Sequence, residues 1–290
     1  MTENTLKKTF VITGATSGIG LAIVEGMLEK EMNLIAIGRS AERCQEQQNR
    51  LLENYPKGKI HYLVADLSFQ PDIRCVVEEI DAVLKQWGLD SLDGLVNNAG
   101  TFTFWQTLTP EGFETQWAVN HLAPFLLTHL LLPRLQKSTD ARVITISSGS
   151  HYGAELNWSD IQLLGRYNPL RAYKQSKLAN VLFTAELNRR LGPHSSVRGA
   201  AADPGLVNTG IGGKTKSRLA QRIWSQRRKS GISPARSAEG IINLLLEADL
   251  RNQSAVYWKH GSPKKPSSYA LDEDHGWRLW EISAQMTGTS

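Results

Sequence analysis

Residues 9–20 read TFVITGATSGIG: a run of β-branched and aromatic side chains, a loop with glycines at 14, 18 and 20, and the opening of a helical pattern that reaches Glu29. A short apolar run of this kind reads as a strand, and a helix started directly after it is the first half of a βαβ unit. The unit recurs along the chain. NLIAIG (33–38) precedes a helical pattern over 41–54, IHYLVAD (60–66) one over 72–86, and LDGLVNNAG (92–100) one over 113–135. RVITISS (142–148) leads to a helix around 173–191, and VRGAAADPG (197–205) leads to a strongly basic segment. Strands alternating with helices imply right-handed crossovers, and near-continuous apolar strands imply burial on both faces. The expectation is an α/β doubly wound domain spanning 1–290, with a central parallel sheet of about seven strands. Ligands of such sheets bind beyond the carboxyl ends of the strands, so the residues following each strand are the candidates for chemistry.

The composition excludes several classes. A chain of 290 residues can bury one sizeable core. No apolar run approaches the ~20 residues that cross a bilayer, and MTENTLKKTF is unlike a signal peptide, so a soluble cytoplasmic protein is expected. Cys44 and Cys75 lie in polar helical patterns without metal-ligand spacing and read as reduced thiols; no metal site is expected. The net charge of +5 is modest, yet residues 214–229 (KTKSRLAQRIWSQRRK) carry seven basic residues and no acidic one.

In the loop after the first strand, glycines 14, 18 and 20 are spaced G-x-x-x-G-x-G, which departs from G-x-G-x-x-G but meets the same need. Bare backbone leads into a helix N-terminus, where phosphate is favoured. The second strand ends in Gly38, Arg39 and Ser40, where an NAD-binding chain offers a carboxylate to the ribose. A guanidinium beside a hydroxyl suits a 2′-phosphate, so NADP(H) is favoured over NAD(H); Ser40 also suits a helix cap. After the third strand, Asp66 and Leu67 are placed to meet an adenine, although Asp66 equally suits a cap. The fourth strand closes on Asn97, Asn98, Ala99 and Gly100, small enough for close backbone approach, with asparagines able to tie neighbouring strands. The fifth ends at Ser147 and Ser148, the sixth at Asp203, Pro204 and Gly205. On the following helix, Tyr173 and Lys177 stand four apart on one face.

These pieces together resemble the short-chain dehydrogenase/reductase superfamily, a Rossmann-fold group. TGATSGIG, NNAG, Asn120, Ser148 with YKQSK, and PGLVNT occur in order over roughly residues 8–210. YKQSKLANVLFTAELNRRL, VNHLAPFLLTHLLLP and WRLWEIS are most similar to the branch holding retinol dehydrogenases and carbonyl reductases. The resemblance implies that Tyr173 is the general acid/base, Lys177 its helper and a ribose ligand, Ser148 the anchor of the substrate oxygen, and Asn120 the holder of a relay water. It implies cofactor contacts from Gly14, Thr16, Ser17, Gly18, Ile19, Gly20, Arg39, Ser40, Asp66, Leu67, Asn98, Ala99, Gly100, Ile146, Tyr173, Lys177, Pro204, Gly205, Val207 and Thr209. The choice of Ser148 over Ser147 rests on the branch's spacing and on alternation along the strand. For Tyr173 to act as a base near neutral pH, its proton affinity must fall by roughly three units from about 10. Lys177 and a positive nicotinamide ring are the groups expected to lower it.

Two features depart from that pattern. Ser148 and Tyr173 are 25 positions apart, farther than in compact members of the superfamily though similar to the retinol-dehydrogenase branch, so residues 149–172 must make an excursion over the site. Asp203 precedes Pro-Gly where the branch often carries His. Residues 205–235 are expected to be a mobile substrate-covering loop and helix. The basic stretch within it reads three ways: a lid with a solvated face, a weak contact with a membrane carrying lipophilic substrate, or a patch for an acidic substrate or nucleic acid. Nucleic acid is not an expected partner, for no recognition module accompanies the basic residues. Phe102, Phe104, Trp105, His151, Tyr152, Trp158, Tyr167 and Trp224 favour a bulky apolar carbonyl or alcohol, retinoid- or steroid-like. The resemblance also suggests a homodimer or homotetramer through the helices that begin near Phe113 and Tyr173. The rival reading is a silent NADP-binding regulatory or scaffold protein, against which Ser148, Tyr173, Lys177 and Asn120 all speak.

Overall fold

The computed structural model describes residues 7–207, 232–247, 250 and 255–289. Its sheet has strands in the order β3-β2-β1-β4-β5-β6-β7-β8. These are β1 (Thr9–Thr13), β2 (Asn33–Gly38), β3 (Lys59–Val64), β4 (Gly94–Asn97), β5 (Ala141–Ile146), β6 (Val197–Asp203), β7 (Tyr257–Lys259) and β8 (Ser262–Pro263). The first seven pair in parallel, and β8 is a two-residue antiparallel edge that accounts for the count of eight rather than about seven. The order reverses between β1 and β4, where doubly wound sheets bind ligands.

Period-two alternation distributes the strand side chains between two apolar layers. Phe10 and Ile12 point to one face, where α1 (Gly18–Glu29), α2 (Ala41–Asn54) and the later helix Pro234–Leu246 pack; Val11 points to the other. That second face holds α3 (Gln70–Gln86), α5 (Ala123–Leu135) and α6 (Pro169–Leu191). Between α3 and α5 lie the short α4 (Thr115–Trp117) and a π turn, Ala118–Leu122. Helix Pro234–Leu246 is α7, and α8 (Glu273–Thr287) packs on α6 and α5.

Local chemistry starts and stops these helices. Asn168 caps α6 by accepting from Arg171 N–H, with Pro169 at its start and Gly192 at positive φ at its end. Asp272 caps α8, and Ser233 caps α7. Of the two thiols, Cys44 is buried against Gly38 and Cys75 is exposed on α3, and neither is in a disulfide.

Candidate active site

Four strand ends converge on one edge. The Thr13 hydroxyl accepts from the backbone N–H groups of Asn98 and Ala99, both at 2.9 Å, and donates to the Val96 carbonyl. The Asn98 amide donates to the Thr13 carbonyl at 2.8 Å, and Asn97 donates to Thr128 on α5. Both asparagines are therefore ties, as their place after β4 suggests. The loop from 14 to 17 is held by a residue that sequence reasoning missed: the Tyr62 hydroxyl on β3 donates to the Ala15 carbonyl at 2.9 Å. Gly14 and Gly18 take positive φ, and a Cβ on Gly20 would lie 2.2 Å from the Gly14 carbonyl oxygen. Ser17 caps α1 without a side-chain hydrogen bond, and no acidic residue stands in the first turn. That leaves the helix N-terminus fit for an anion.

Around this loop, Thr16 covers Gly38, and Ile19 is buried in the core. Arg39 is exposed, with no hydrogen bond or ion pair among the described residues. Ser40 caps α2 by accepting from Arg43 N–H. Asp66 accepts from both the backbone and the hydroxyl of Ser68, so its carboxylate organises its own turn, while Leu67 is core. Pro204 offers its carbonyl to Ser237, and Gly205 sits at positive φ under the His260 ring. Val207 forms an isolated bridge with Ile232. Thr209, Trp224 and the basic stretch 214–229 lie outside the described residues.

The reactive side chains meet where β5 faces α6. Ser147 is buried and donates to the Lys177 carbonyl at 2.7 Å, which spends it on holding α6 to β5. Ser148 points the other way. It caps the short turn Gly149–His151 by accepting from Ser150 N–H, and its side chain is near enough to the Tyr173 hydroxyl to lower that group's proton affinity. The Lys177 ammonium is buried, donates to the Ile146 carbonyl at 3.0 Å and lies 5.7 Å from the centre of the Tyr173 ring. Asn120 sits in the π turn, fully buried. Its amide donates to the Thr101 carbonyl and to Ser176, and its oxygen accepts from Thr101 N–H. Ser176, not singled out in the sequence, donates to the Tyr173 carbonyl at 2.8 Å and so links Asn120 to the tyrosine's own helix turn. A Cβ on Gly100 would meet Asn120 Oδ1 at 3.3 Å and Lys177 Nζ at 3.6 Å, so this glycine closes the cluster from the β4 side.

The model of the family described as short chain dehydrogenase matches residues 8–220. The chain belongs to this family. Human retinol dehydrogenase 13 is 34% identical over 97% of this chain and 85% of its own length, and human polyprenol dehydrogenase 33% over 96% and 84%. An uncharacterized protein from Mycobacterium paratuberculosis superposes with a TM-score of 0.73 at 30% identity, covering 97% of this chain and 93% of its own. An angucycline C-6 ketoreductase with bound NADP superposes at 0.69 with 25% identity, covering 87% and 93%. The chain is thus an oxidoreductase of the short-chain dehydrogenase family with a nicotinamide cofactor site.

The electrostatics of this dehydrogenase site run against one expectation. Burial pushes Tyr173 up to about 12, the Ser148 side chain lowers it and the Asp203 charge raises it. Lys177, whose ammonium is directed at a carbonyl, does not offset burial; it is itself brought down to about 8 by desolvation. The protein's own groups therefore hold Tyr173 as an acid. The aromatic residues also divide. Phe102 stands edge-on to Tyr173 at 5.7 Å and to Phe104 at 5.1 Å, beside the reactive group. His151 and Tyr152 are packing groups: the ring N–H of His151 holds the Ser148 carbonyl, and Tyr152 donates to the Lys265 carbonyl. Trp158 packs under Arg278, and Trp105 is 77% exposed. The Tyr167 hydroxyl joins Thr103 to Gln116 and thereby pins the excursion to the loop after β4.

Proposed function

We propose that this chain is an NADP(H)-dependent oxidoreductase that moves a hydride between the nicotinamide and a bulky apolar alcohol or carbonyl. The observation that carries the reading is the buried Lys177 ammonium 5.7 Å from the Tyr173 ring, with Ser148 beside the same hydroxyl and lowering its proton affinity. When bound, the reduced cofactor supplies the hydride to the carbonyl carbon. Tyr173 gives its proton to the carbonyl oxygen, which Ser148 positions by a hydrogen bond. Lys177 uses one of its three donors on Ile146, leaving two N–H groups for ribose hydroxyls. The uncapped first turn of α1 would hold the pyrophosphate, and Arg39, with no hydrogen bond or ion pair among the described residues, suits a 2′-phosphate. Phe102 and Phe104 line the approach to Tyr173, which fits an apolar substrate, as do the retinol and polyprenol in the names of the relatives.

The test is a panel of nonanal, 4-nitrobenzaldehyde, all-trans-retinal and a steroid ketone with NADPH and NADH in parallel, on the wild type, Tyr173→Phe and Arg39→Ala. Tyr173→Phe is expected to bind NADPH and lose turnover by at least about 100-fold. Arg39→Ala is expected to raise the NADPH KM about 10- to 100-fold and leave that for NADH nearly unchanged, the range expected for a charged hydrogen bond. Equal use of both cofactors by the wild type would refute the NADP assignment, and undiminished turnover in Tyr173→Phe would refute the mechanism.

A further inference from the structure

His151 is fully buried, and the contacts of its ring go beyond packing. Its Nδ1 lies 2.8 Å from the Ser148 carbonyl oxygen, and its Nε2 lies 3.3 Å from the backbone nitrogen of Ser267, in the segment that follows β8. A carbonyl only accepts and a backbone N–H only donates, so the two partners fix the tautomer: the proton is on Nδ1 and the lone pair on Nε2. Burial disfavours a second proton, which would leave Nε2 with no lone pair for the Ser267 N–H. Tyr152 packs on the imidazole at 4.0 Å and Tyr257 of β7 at 4.6 Å. Tyr257 is itself anchored, for its hydroxyl donates at 2.9 Å to Oδ2 of Asp203, at the end of β6. That carboxylate backs the same turn, since a Cβ on Gly149 would lie 3.3 Å from its Oδ2.

We infer that His151 is a positioning residue: donating from Nδ1 to the Ser148 carbonyl while Nε2 is tied to Ser267, it fixes the main chain that aims the Ser148 hydroxyl at the substrate oxygen. The inference rests on the role given to Ser148 above and names the group that holds it in place. Ser147 still bonds the sheet, through its N–H to the Ala202 carbonyl at 2.8 Å. From Ser148 onward the bonds are local to a three-residue turn. The Ser148 carbonyl accepts from His151 N–H at 3.1 Å, and its hydroxyl oxygen accepts from Ser150 N–H at 3.2 Å. A turn held only by its own bonds can pivot as a unit about its first residue, so its direction has to be fixed from outside. The His151 ring does this, because it bonds the head of the turn and reaches a residue 116 positions further along the chain. The bond that Ser148 accepts uses a lone pair and leaves the hydroxyl proton for a carbonyl oxygen of the substrate. A reacting group has to be held to within about 0.5 Å by such supporting contacts, and a displacement of about 1 Å costs on the order of 100-fold in rate.

The experiment measures NADPH-dependent reduction of the fastest member of the panel by the wild type, His151→Leu, His151→Asn, His151→Gln, Ser148→Ala and the double variant Ser148→Ala with His151→Leu. His151→Leu is expected to lower kcat/KM about 10- to 100-fold while NADPH affinity, read by fluorescence titration, stays within about threefold. Asparagine places an amide N–H where Nδ1 stood and should recover most of the loss, whereas glutamine reaches only toward Ser267 and should not. Were the ring only packing, or only tying Ser267, the two amides would rank equally or in the opposite order. That ranking overturns the inference, and it is readable even where His151→Leu cannot be obtained folded. In the Ser148→Ala background, His151→Leu should cost less than about twofold, because its effect passes through the hydroxyl already removed. A loss that adds in full to that of Ser148→Ala overturns the inference, as does undiminished turnover in a folded His151→Leu protein; both spare the proposed reaction. Undiminished turnover in Ser148→Ala, or no turnover of any panel member by the wild type, removes the reading above and the inference with it.

Discussion

Two adjacent serines show what single residues do here. Sequence leaves Ser147 and Ser148 separated only by family spacing and strand alternation; the structure gives them opposite tasks. Ser147 donates inward to the Lys177 carbonyl, while Ser148 lies beside the Tyr173 hydroxyl and lowers its proton affinity. Ser148→Ala is therefore expected to lower kcat/KM by about 100-fold with little change in thermal midpoint. Ser147→Ala should instead cost about 1 kcal/mol of stability, the typical value of a buried hydrogen bond. Activity assays and thermal melts on the pair decide it; the reverse pattern would exchange the assignments. Lys177 carries a second prediction. Its buried ammonium is brought down to about 8, against about 10.4 in an unfolded chain. Below about pH 8 both states hold the proton and the folded state bears the full desolvation cost. Between about 8 and 10.4 only the unfolded chain keeps it, so stability of the free protein rises with pH in that window. Lys177→Met should abolish turnover yet raise the thermal midpoint at pH 7 and flatten that rise, as calorimetry across pH would show.

At the scale of elements, the loop into α1 and the π turn before α5 set the geometry. Glycines 14, 18 and 20 are legible in the sequence as a phosphate loop, but the reason for Gly20 is contact as much as ligand access. A Cβ there would meet the Gly14 carbonyl oxygen at 2.2 Å and the Asn98 amide at 2.5 Å. Gly20→Ala is expected to break the tie between Asn98 and the loop, lowering stability by roughly 1–3 kcal/mol and weakening NADPH binding at least tenfold. Denaturant melts and fluorescence titration measure both, and normal binding would show that the loop adapts. Pro124 is visible in the sequence as a residue that cannot give Asn120 its helical partner. What that produces is a π turn over 118–122 that buries Asn120 against Thr101 and Ser176, a contact set no spacing rule contains.

In the whole molecule, α8 decides how the site's supporting helices are covered. Trp280 stacks on Phe183 of α6, meets Phe125 of α5 edge-on at 4.9 Å and lies under the Arg190 guanidinium at 4.5 Å. Any dimer built on α5 and α6 must form with α8 already seated on both, and we expect α8 to limit assembly through those helices. Trp280→Ala should cost roughly 2–4 kcal/mol by removing a large, half-buried ring. Light scattering of the wild type tests the first statement and thermal unfolding of the variant the second; a stable dimer unaffected by Trp280→Ala would show that α8 is not what limits assembly. No described helix is long and apolar enough to cross a membrane.

The order of elements, the parallel sheet, the glycine loop and the Tyr173–Lys177 pair follow from the sequence alone, because hydrophobic period and helical spacing are local properties. The tasks of the two serines, the Tyr62 hydroxyl that holds the first loop, and the Asp203–Tyr257 pair behind Ser148 came only with the tertiary structure. Each depends on hydrogen bonds between residues far apart in the chain, such as Tyr62 to Ala15 and Asp203 to Tyr257. The direction in which Tyr173 is moved also belongs to the fold, since burial, a long-range property, is the largest cause of the rise.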